Sequence, residues 1–547
     1  MELSQLRKAI AAVALAALAA CSGNGAGTGS APVLPAHDAR PAQQGILARI
    51  VGVGDSLTAG YQSDGFLGQT GLANPLNPGV QVPPNQENGW WALLDEQASN
   101  STIADAINQM YDPAKSPLPL IKGPGLDNQI VPAGPSAFFP FGQFKGTDPC
   151  TFAHGFNQAG FLLQGSARVR TDPSSPNIRD LGVPGSTLHE ANVLHQPQTS
   201  TCSPLPGIPG LLSDVVTEES GTFWPVLRTF TKLDGHLTEV NAAASLHPTL
   251  ATVWLGANDV LKYMGSGGRF VGGDRTAGQA QNDLRAAIST LQRAGARVVV
   301  ANLPNILETG YFQRVTHPKS PHDCKLRSYA YCLLQLDGLE TFVPSIARKY
   351  HLDTPNGCSA TSLTTPCGYL TLPGTIEFIQ YYNLTGEPPN LDCATPSPTC
   401  KPVKGSGLGS NYITPEFAAK VQALNNAVNQ GIDDAVSSSH VPLVDIHAIF
   451  HGLASGTPSN PYFAQAAAIN PPKCCALGYL YGILSFDGIH PSNTGYALVA
   501  YSFIEAINKA YGAHIPEVDV RAVYDGSRCK NPKFCYPDPY APPNDIP

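Results

Sequence analysis

Short apolar runs rich in β-branched residues alternate with segments of helical periodicity along much of this chain. The runs that suit buried strands of a parallel sheet are Ile46–Val53, Ala251–Leu255, Val298–Leu303 and Leu443–Ile446. Helical patterns end before Gly295, begin at Thr414 with Pro415 behind it, and begin again at Ser492, which are residue types that commonly end or start helices. A repeated strand–helix–strand order predicts an α/β sandwich around a mainly parallel sheet.

Two long regions interrupt this alternation. Residues 99–175 and 307–410 are rich in Pro, Gly and Cys, show little periodicity, and are longer than ordinary connections. We interpret them as loop-rich insertions on a single α/β domain that extends over residues 46–512. The Pro-rich residues 513–547 are predicted to form a C-terminal tail that lies on the surface.

The composition excludes several classes of protein. Charged residues make up 14% of the chain, against roughly 25% in an average soluble domain, which excludes a coiled coil. The net charge is −8 and the basic residues are scattered. Because nucleic-acid binding needs a basic face that neutralises phosphates, we expect no nucleic-acid partner.

The N-terminus carries an export signal. Arg7 and Lys8 precede the apolar run Ala9–Ala20, which is too short to span a bilayer and has the length of a signal-peptide core. The run ends in Leu18-Ala19-Ala20-Cys21, which resembles a bacterial lipobox and implies an exported lipoprotein, held in the cell envelope by lipid on Cys21. Residues 1–20 would then be the signal peptide and residues 21–45 a flexible tether. An ordinary signal peptide with a chance cysteine is the alternative.

The cysteines agree with export. Apart from Cys21 their number is even, and no C-x-x-C occurs, which favours disulfides over a zinc ribbon or a thiol-redox site. The partners of Cys150, Cys202, Cys474 and Cys475 stay open. Short spacings nominate the pairs Cys324 with Cys332, Cys358 with Cys367, Cys393 with Cys400 and Cys529 with Cys535.

A candidate nucleophile follows the first predicted strand. Ser56 lies in GDSLTAG, on a turn at the carboxyl edge of the strand, where α/β folds bind ligands. Thr58 stands where the G-x-S-x-G elbow has its second glycine, so this is a different motif. Taken alone, Ser56 could equally be a helix cap.

A candidate base and its orienting carboxylate lie near the C-terminus, in FDGIHPS. His490 would accept the proton of Ser56, and Asp487, three residues earlier on the same loop, would orient the imidazole. The order along the chain is therefore Ser, Asp, His.

Two further loops offer donors for an oxyanion. Gly185 lies in GVPGST and would present a backbone N–H, while Asn258 lies in GAND, directly after a predicted strand, and would present a side-chain amide. The N–H of Ser56 is the third donor. As single residues, Gly185 and Asn258 could simply be turn residues.

Taken together, GDSLTAG, GVPGST, GAND and DGIHP resemble the four sequence blocks of the SGNH or GDSL hydrolase family, in the family's order. VVVANLP at Val298–Pro304 also looks like a strand of that family. The resemblance implies a flavodoxin-like three-layer α/β/α core and metal-free ester hydrolysis, with roles for Ser56, Gly185, Asn258, Asp487 and His490. The two insertions match nothing in the family.

We predict no metal and no cofactor. His189 and His195 are six residues apart, whereas a helical zinc site needs a spacing of four, so the segment around Glu190 is not interpreted as a metal site. Asp55 and Asp259 are expected to hold loop backbones. Asp445 and His447, at the end of the last predicted strand, could support the site or simply lie on the surface.

The sequence thus predicts a membrane-tethered serine esterase or lipase acting on a small-molecule or lipid ester. A carbohydrate or peptidoglycan O-deacetylase of the same fold, or a non-catalytic surface-binding lipoprotein, are the alternatives. In the first insertion, Phe139 and Phe141 belong to an aromatic loop that either packs the insertion onto the core or forms an apolar wall for the acyl chain. The oligomeric state is not predicted.

Overall fold

The computed structural model describes part of the chain, and every structural statement below concerns that part. The described residues are 45–62, 73–74, 77–81, 86–99, 102–112, 115–119, 177–193, 224–227, 237–265, 268, 270, 273–315, 358–359, 362–371, 412–455, 483–485, 488–530 and 535–538.

The strands and helices are numbered in chain order. The strands are β1 (Ile50–Gly54), β2 (Ala73–Asn74), β3 (Asn77–Gln81), β4 (Leu250–Trp254), β5 (Arg297–Ala301), β6 (Phe312–Val315), β7 (Gly368–Thr371), β8 (Tyr412–Ile413) and β9 (Leu443–Val444). The helices are α1 (Trp90–Ala98), α2 (Ile103–Tyr111), α3 (Leu188–Val193), α4 (Trp224–Leu227), α5 (Glu239–Ser245), α6 (Ala257–Gly265), α7 (Ala277–Arg293), α8 (Pro415–Ser439), α9 (Ile446–Ser455), α10 (Asn493–Tyr511) and α11 (Val520–Asp525).

A four-stranded parallel sheet forms the centre of an α/β fold, as the sequence predicts. Its strand order is β1–β4–β5–β9, and each neighbouring pair is parallel. Every residue of β1 and β4 is buried, which explains why these strands are continuous apolar runs without alternation. The observed strand bounds differ from the predicted ones: Ile46 and Leu47 lie in a 3₁₀ turn before β1, and Ile446 begins α9. β4 ends at Trp254 and β5 at Ala301, before the predicted ends at Leu255 and Leu303.

A further segment continues the sheet beyond β1. The N–H of Gly52 donates to the carbonyl of Arg179 at 2.9 Å, and the N–H of Leu181 donates to the carbonyl of Gly52 at 3.0 Å. The N–H of Val183 then donates to the carbonyl of Gly54 at 2.8 Å. This pairing carries the chain to the carboxyl end of β1, where GVPGST begins.

The predicted helix starts are confirmed by their caps. Thr414 accepts a hydrogen bond from the N–H of Phe417 with Pro415 at the first helical position, and Ser492 accepts one from the N–H of Gly495. α7 packs against α8 and β5, while α10 packs against α1, β5 and β9. The Trp90 ring of α1 stacks on Phe503 of α10, with centroids 4.0 Å apart. The sheet is therefore held in place by helices at both ends of the chain.

The described parts of the two insertions contain elements that the sequence analysis does not predict. Residues 99–175 include α2, whose N-cap is Thr102. Residues 307–410 include β6 and β7, which form an antiparallel sheet with β8. Two of the nominated disulfides are present, Cys358–Cys367 and Cys529–Cys535. The other nominated pairs and Cys21 lie outside the described residues.

The C-terminal tail is more deeply packed than a surface wrap. Cys535 and Asp538 are buried. Asp538 accepts hydrogen bonds from the backbone N–H and the hydroxyl of Thr494, at the start of α10. Arg528 donates to Asn88 at 2.8 Å, near the start of α1. In the described part of the chain, no helix has the length and apolar character needed to cross a bilayer.

Candidate active site

Ser56 lies on a tight turn directly after β1. The carbonyl of Asp55 accepts hydrogen bonds from the N–H groups of Thr58 and Ala59, and its carboxylate accepts one from the N–H of Leu57 at 2.9 Å. A side chain at Gly54 would collide with Thr58, so the approach to this turn requires glycine. The turn presents Ser56 at the carboxyl edge of the sheet, as predicted.

The structure brings Ser56 and His490 into direct contact. The Ser56 Oγ lies 2.8 Å from His490 Nε2, although 434 residues separate the two positions. Both residues are largely buried, with 9% and 8% of their surface exposed. A short hydrogen bond between a hydroxyl and an imidazole is the arrangement that allows the imidazole to take the hydroxyl proton.

The loop around His490 is fixed by backbone hydrogen bonds. The N–H of Ser485 donates to the His490 carbonyl at 2.8 Å, and the N–H of Ser492 donates to the Ile483 carbonyl at 2.9 Å. The Tyr61 ring packs against the imidazole, with centroids 4.7 Å apart. His490 is therefore held from its own loop and from the segment that follows the Ser56 turn.

Asn258 connects three of the predicted loops. It lies in the first turn of α6, directly beyond β4, and its Nδ2 is 3.1 Å from Asp55 Oδ2 and 3.1 Å from the carbonyl of Ser186. Both amide hydrogens thus have acceptors. In the described structure, Asn258 orders the loops on either side of it.

Gly185 has the backbone conformation that the prediction requires. Its φ of +83° lies in the left-handed region that favours glycine. Among the described residues, no acceptor takes a hydrogen bond from the N–H of Gly185 or from the N–H of Ser56. Within the described part of the chain, these two N–H groups are therefore unoccupied.

A buried carboxyl group, that of Glu239, holds two of the loops at the site in place. Glu239 accepts hydrogen bonds from the N–H of Gly54 at 2.7 Å and from the hydroxyl of Ser186 at 3.0 Å. Burial raises the pKa of Glu239 well above its usual range, and the neighbouring carboxyl groups of Asp55 and Asp180 raise it further. The sequence analysis misses Glu239, because nothing local to residue 239 indicates a partner 185 positions away.

Asp55 carries an unusual titration as well. Burial raises its pKa to about 7, against the opposing effects of the hydrogen bond from Leu57 and the positive charge that His490 can carry. Asp55 and Asp259 both hold loop backbones, as expected: Asp259 accepts the N–H of Leu188 at 3.0 Å. Burial raises the pKa of Asp259 to about 7 too.

The remaining sequence predictions have mixed outcomes. Asp445 accepts hydrogen bonds from Asn302 and from the N–H of Ala448, so it caps α9, and the N–H of His447 donates to Asn302. Asp487, Phe139, Phe141 and His195 lie outside the described residues. Glu190 pairs with Lys262 at 2.7 Å, whereas His189 pairs with Asp283 at 2.9 Å, so the two neighbours serve different contacts.

The geometry assembles a hydroxyl, an imidazole in contact with it, and two backbone N–H groups on neighbouring loops. Such a set can activate a serine and stabilise a negative oxygen next to it. No protein-family model, no curated protein and no solved structure matches this chain.

Proposed function

We propose that this chain is a serine hydrolase of the SGNH type that cleaves carboxylic esters through an acyl-enzyme on Ser56. The observation that carries the proposal is the 2.8 Å contact between Ser56 Oγ and His490 Nε2 at the carboxyl edge of a parallel sheet. A structural serine has no need of an imidazole partner brought from the other end of the chain. Acyl transfer by serine does need one.

In the proposed reaction, Ser56 Oγ attacks the acyl carbonyl carbon while its proton passes to His490 Nε2. The tetrahedral intermediate collapses when the imidazolium returns that proton to the departing alcohol, which leaves the acyl group on Ser56. A water molecule then attacks the acyl carbonyl while His490 accepts its proton. Collapse of this second tetrahedral intermediate breaks the bond to Ser56 Oγ, which takes the proton back from His490, and the carboxylic acid is released. Asp487 is proposed to orient the imidazole and stabilise its charged form, on the strength of the DGIHP resemblance.

Stabilisation of the oxyanion is assigned to the N–H groups of Ser56 and Gly185. Asn258 is the third proposed donor, and its amide must exchange one of its two present acceptors, Asp55 or Ser186, for the substrate oxygen. Donors of this kind each contribute about 3–4 kcal/mol to lowering the barrier in serine hydrolases. Asp55 therefore helps to position the Asn258 amide, because its carboxyl group accepts one of the two amide hydrogens.

The proposed core is a flavodoxin-like three-layer α/β/α sandwich. With the segment 179–183 beside β1, the order across the sheet follows the 2-1-3-4-5 pattern of such folds. The helices fall into two packed groups: α1 with α10, and α7 with α3, α5 and α8. Two groups of helices that pack separately support a layer on each face of the sheet.

The proposal is tested by measuring hydrolysis of nitrophenyl acyl esters by the wild type and by Ser56→Ala and His490→Ala. Each substitution should lower kcat by roughly 10³ to 10⁶, and the double substitution should be little worse, because the two residues act as one unit. Ser502→Ala and His451→Ala are the matched controls, since these residues make hydrogen bonds away from the site. A folded Ser56→Ala protein that kept most of the activity would refute the assigned nucleophile.

The substrate is proposed to be a small-molecule or lipid ester, met outside the cytoplasm by a protein that is lipidated at Cys21. No nucleic acid and no cofactor enter this proposal. Turnover of acetylated saccharides in preference to longer acyl esters would favour an O-deacetylase. Absence of turnover on every ester by the folded protein would favour the surface-binding alternative.

A further inference from the structure

A second cluster of chemically active side chains lies where α3 meets α7. His189 of α3, Asp274 ahead of α7 and Asp283 within α7 each offer one nitrogen or oxygen atom, and these three atoms lie within 4.8 Å of one another. His189 Nδ1 is 2.9 Å from Asp283 Oδ2. Two parts of the chain that are 85 or more residues apart therefore converge on one point.

Asp274 is the member of the cluster that needs explanation. Only 3% of its surface is exposed, and its Oδ2 accepts no hydrogen bond from the described residues. Its charged neighbours are the carboxyl groups of Asp259 and Asp283, and the Asp283 carboxyl lies within hydrogen-bond reach of it. A buried carboxyl oxygen without a donor, next to other carboxyl groups, is unfavourable unless a cation or a shared proton lies between them.

We propose that His189, Asp274 and Asp283 bind one divalent transition-metal ion of the Zn²⁺ type. An imidazole with two carboxylates is a donor set that Zn²⁺ accepts with a water molecule in the fourth position. Ligand atoms around a tetrahedral Zn²⁺ are about 3.4 Å apart, so rotation of the half-exposed His189 and a shift of the carboxyl groups would have to draw the three atoms together. Two carboxylates and a neutral imidazole carry a net charge of −2, which a divalent cation balances.

The position of the cluster indicates that a bound ion would stabilise the fold around it. Asp259 accepts the N–H of Leu188 at 3.0 Å and the N–H of Asp274 at 2.6 Å, so it already joins the two segments that carry ligands. Asp259 directly follows Asn258 in α6. An ion at this point would cross-link α3 to the start of α7 and stiffen the segments that hold Asn258, whatever reaction the neighbouring site performs.

The spacing of His189, Glu190 and His195 does not indicate a metal site, because the other proposed ligands lie far along the chain. The structure pairs His189 with residues that lie 85 or more positions further along the chain, and local spacing contains no signal of that pairing. Glu190 is held by Lys262 at 2.7 Å and does not belong to the proposed ligand set.

The test uses the full chain, freed of metal with a chelator and titrated with Zn²⁺ by calorimetry. We expect a saturable Zn²⁺ site that depends on these ligands, and a melting temperature higher by about 5 °C when Zn²⁺ exceeds its Kd a hundredfold. Mg²⁺ and Ca²⁺, which prefer oxygen ligands, should bind far more weakly. Asp274→Asn and His189→Ala should each lower the affinity at least about 100-fold.

His451→Ala is the matched control. His451 is as exposed as His189, at 48%, and its Nδ1 lies at the same distance of 2.9 Å from a carboxylate, that of Glu308. The His451→Ala variant should bind Zn²⁺ with the same affinity as the wild type. Because His189 is half exposed, its replacement leaves the core intact even if Asp274→Asn fails to fold. Unchanged Zn²⁺ binding in His189→Ala, or equal loss in His451→Ala, would overturn the proposal.

Discussion

The side-chain amide of Asn258 donates a hydrogen bond of 3.1 Å to the carboxyl group of Asp55, across 203 residues of chain. The contact joins the turn that carries Ser56 to the first turn of α6. A second hydrogen bond, to the carbonyl of Ser186, brings in the loop that contains Gly185. One amide thus sets the relative positions of three loops at the edge of the sheet.

Asn258→Ala should lower kcat on a nitrophenyl ester by roughly 10² to 10³ while KM changes little. The reason is that an oxyanion donor acts mainly in the transition state and contributes little to binding the ground state. Steady-state kinetics on the purified variant give both constants.

Asn302→Ala is the control for this prediction. Asn302 also follows a parallel strand, β5, and its amide also binds a carboxylate, that of Asp445 at 2.9 Å. Its removal should affect stability and leave kcat near the wild-type value. If both variants lost kcat alike, Asn258 would act only by holding the fold together.

The raised pKa of Asp55 predicts how stability depends on pH. The folded value of about 7 lies above the ordinary value of 3.8, so folded Asp55 holds its proton more tightly than unfolded Asp55 does. Its contribution to stability is therefore full below pH 4 and is lost as the pH rises to about 7. Between pH 5 and pH 8 the loss from this group amounts to about 3 kcal/mol.

Asp55→Asn removes that titration. Urea unfolding at pH 5 and pH 8 should therefore show a smaller fall in the free energy of unfolding for the variant than for the wild type, by about 3 kcal/mol. Asp259, whose pKa is also raised to about 7, is present in both proteins, so its titration cancels in the difference. Equal falls in the two proteins would mean that Asp55 titrates normally.

Asp538 is expected to anchor the C-terminal tail. Asp538→Ala leaves a buried N–H and a hydroxyl of Thr494 without their acceptor, which should lower the free energy of unfolding by about 1–3 kcal/mol. Asp525→Ala, in the same tail, removes only an exposed ion pair with Arg521 and should cost less than about 0.5 kcal/mol. Urea titrations of the two variants that coincide would contradict the anchoring role.

The parts of this molecule that follow from sequence are those with a local signal. β1, β4 and β5 are buried along almost their whole length, so they stand out as short apolar runs. The caps at Thr414 and Ser492 are equally local, because a side chain that closes a helix lies within three residues of its partner.

The parts that do not follow from sequence depend on long-range contacts. Glu239, Tyr61 and Asp538 each support the site or its neighbouring helix through partners far along the chain. The contact of Ser56 with His490 is equally distant, yet it was predicted because both residues lie in motifs whose chemistry requires the other. A long-range contact can thus be predicted without a periodic pattern only where the two residues belong to a recognisable reaction.

Cys21→Ala should release the protein from membranes into the soluble exported fraction. Since the apolar run Ala9–Ala20 would be removed with the signal peptide, lipid on Cys21 is the anchor that the sequence predicts. Fractionation with a salt wash, followed by immunodetection, measures the change. Persistent membrane association of the variant after the wash would argue against lipidation.

The choice of acyl chain should depend on Phe139 and Phe141. These residues lie outside the described part of the chain, in a stretch of sequence flanked by Gly and Pro, and are proposed to contact the acyl chain at the mouth of the Ser56 site. Burial of one methylene contributes about 0.8 kcal/mol. A chain longer by four carbons would then gain about 3 kcal/mol, or roughly a hundredfold in kcat/KM.

Acetyl, butyryl and octanoyl esters compared in the wild type, Phe139→Ala and Phe141→Ala measure this effect. The wild type should prefer the longer chains, and each variant should lose part of that preference while its kcat/KM for the acetyl ester, which does not reach the wall, stays near the wild-type value. The acetyl ester thus serves as the internal control for folding. A wild-type preference for acetyl, or a chain-length profile that neither substitution alters, would contradict the proposed acyl wall. Either result would favour a deacetylase, because a site built for a two-carbon acyl group gains nothing from further methylenes.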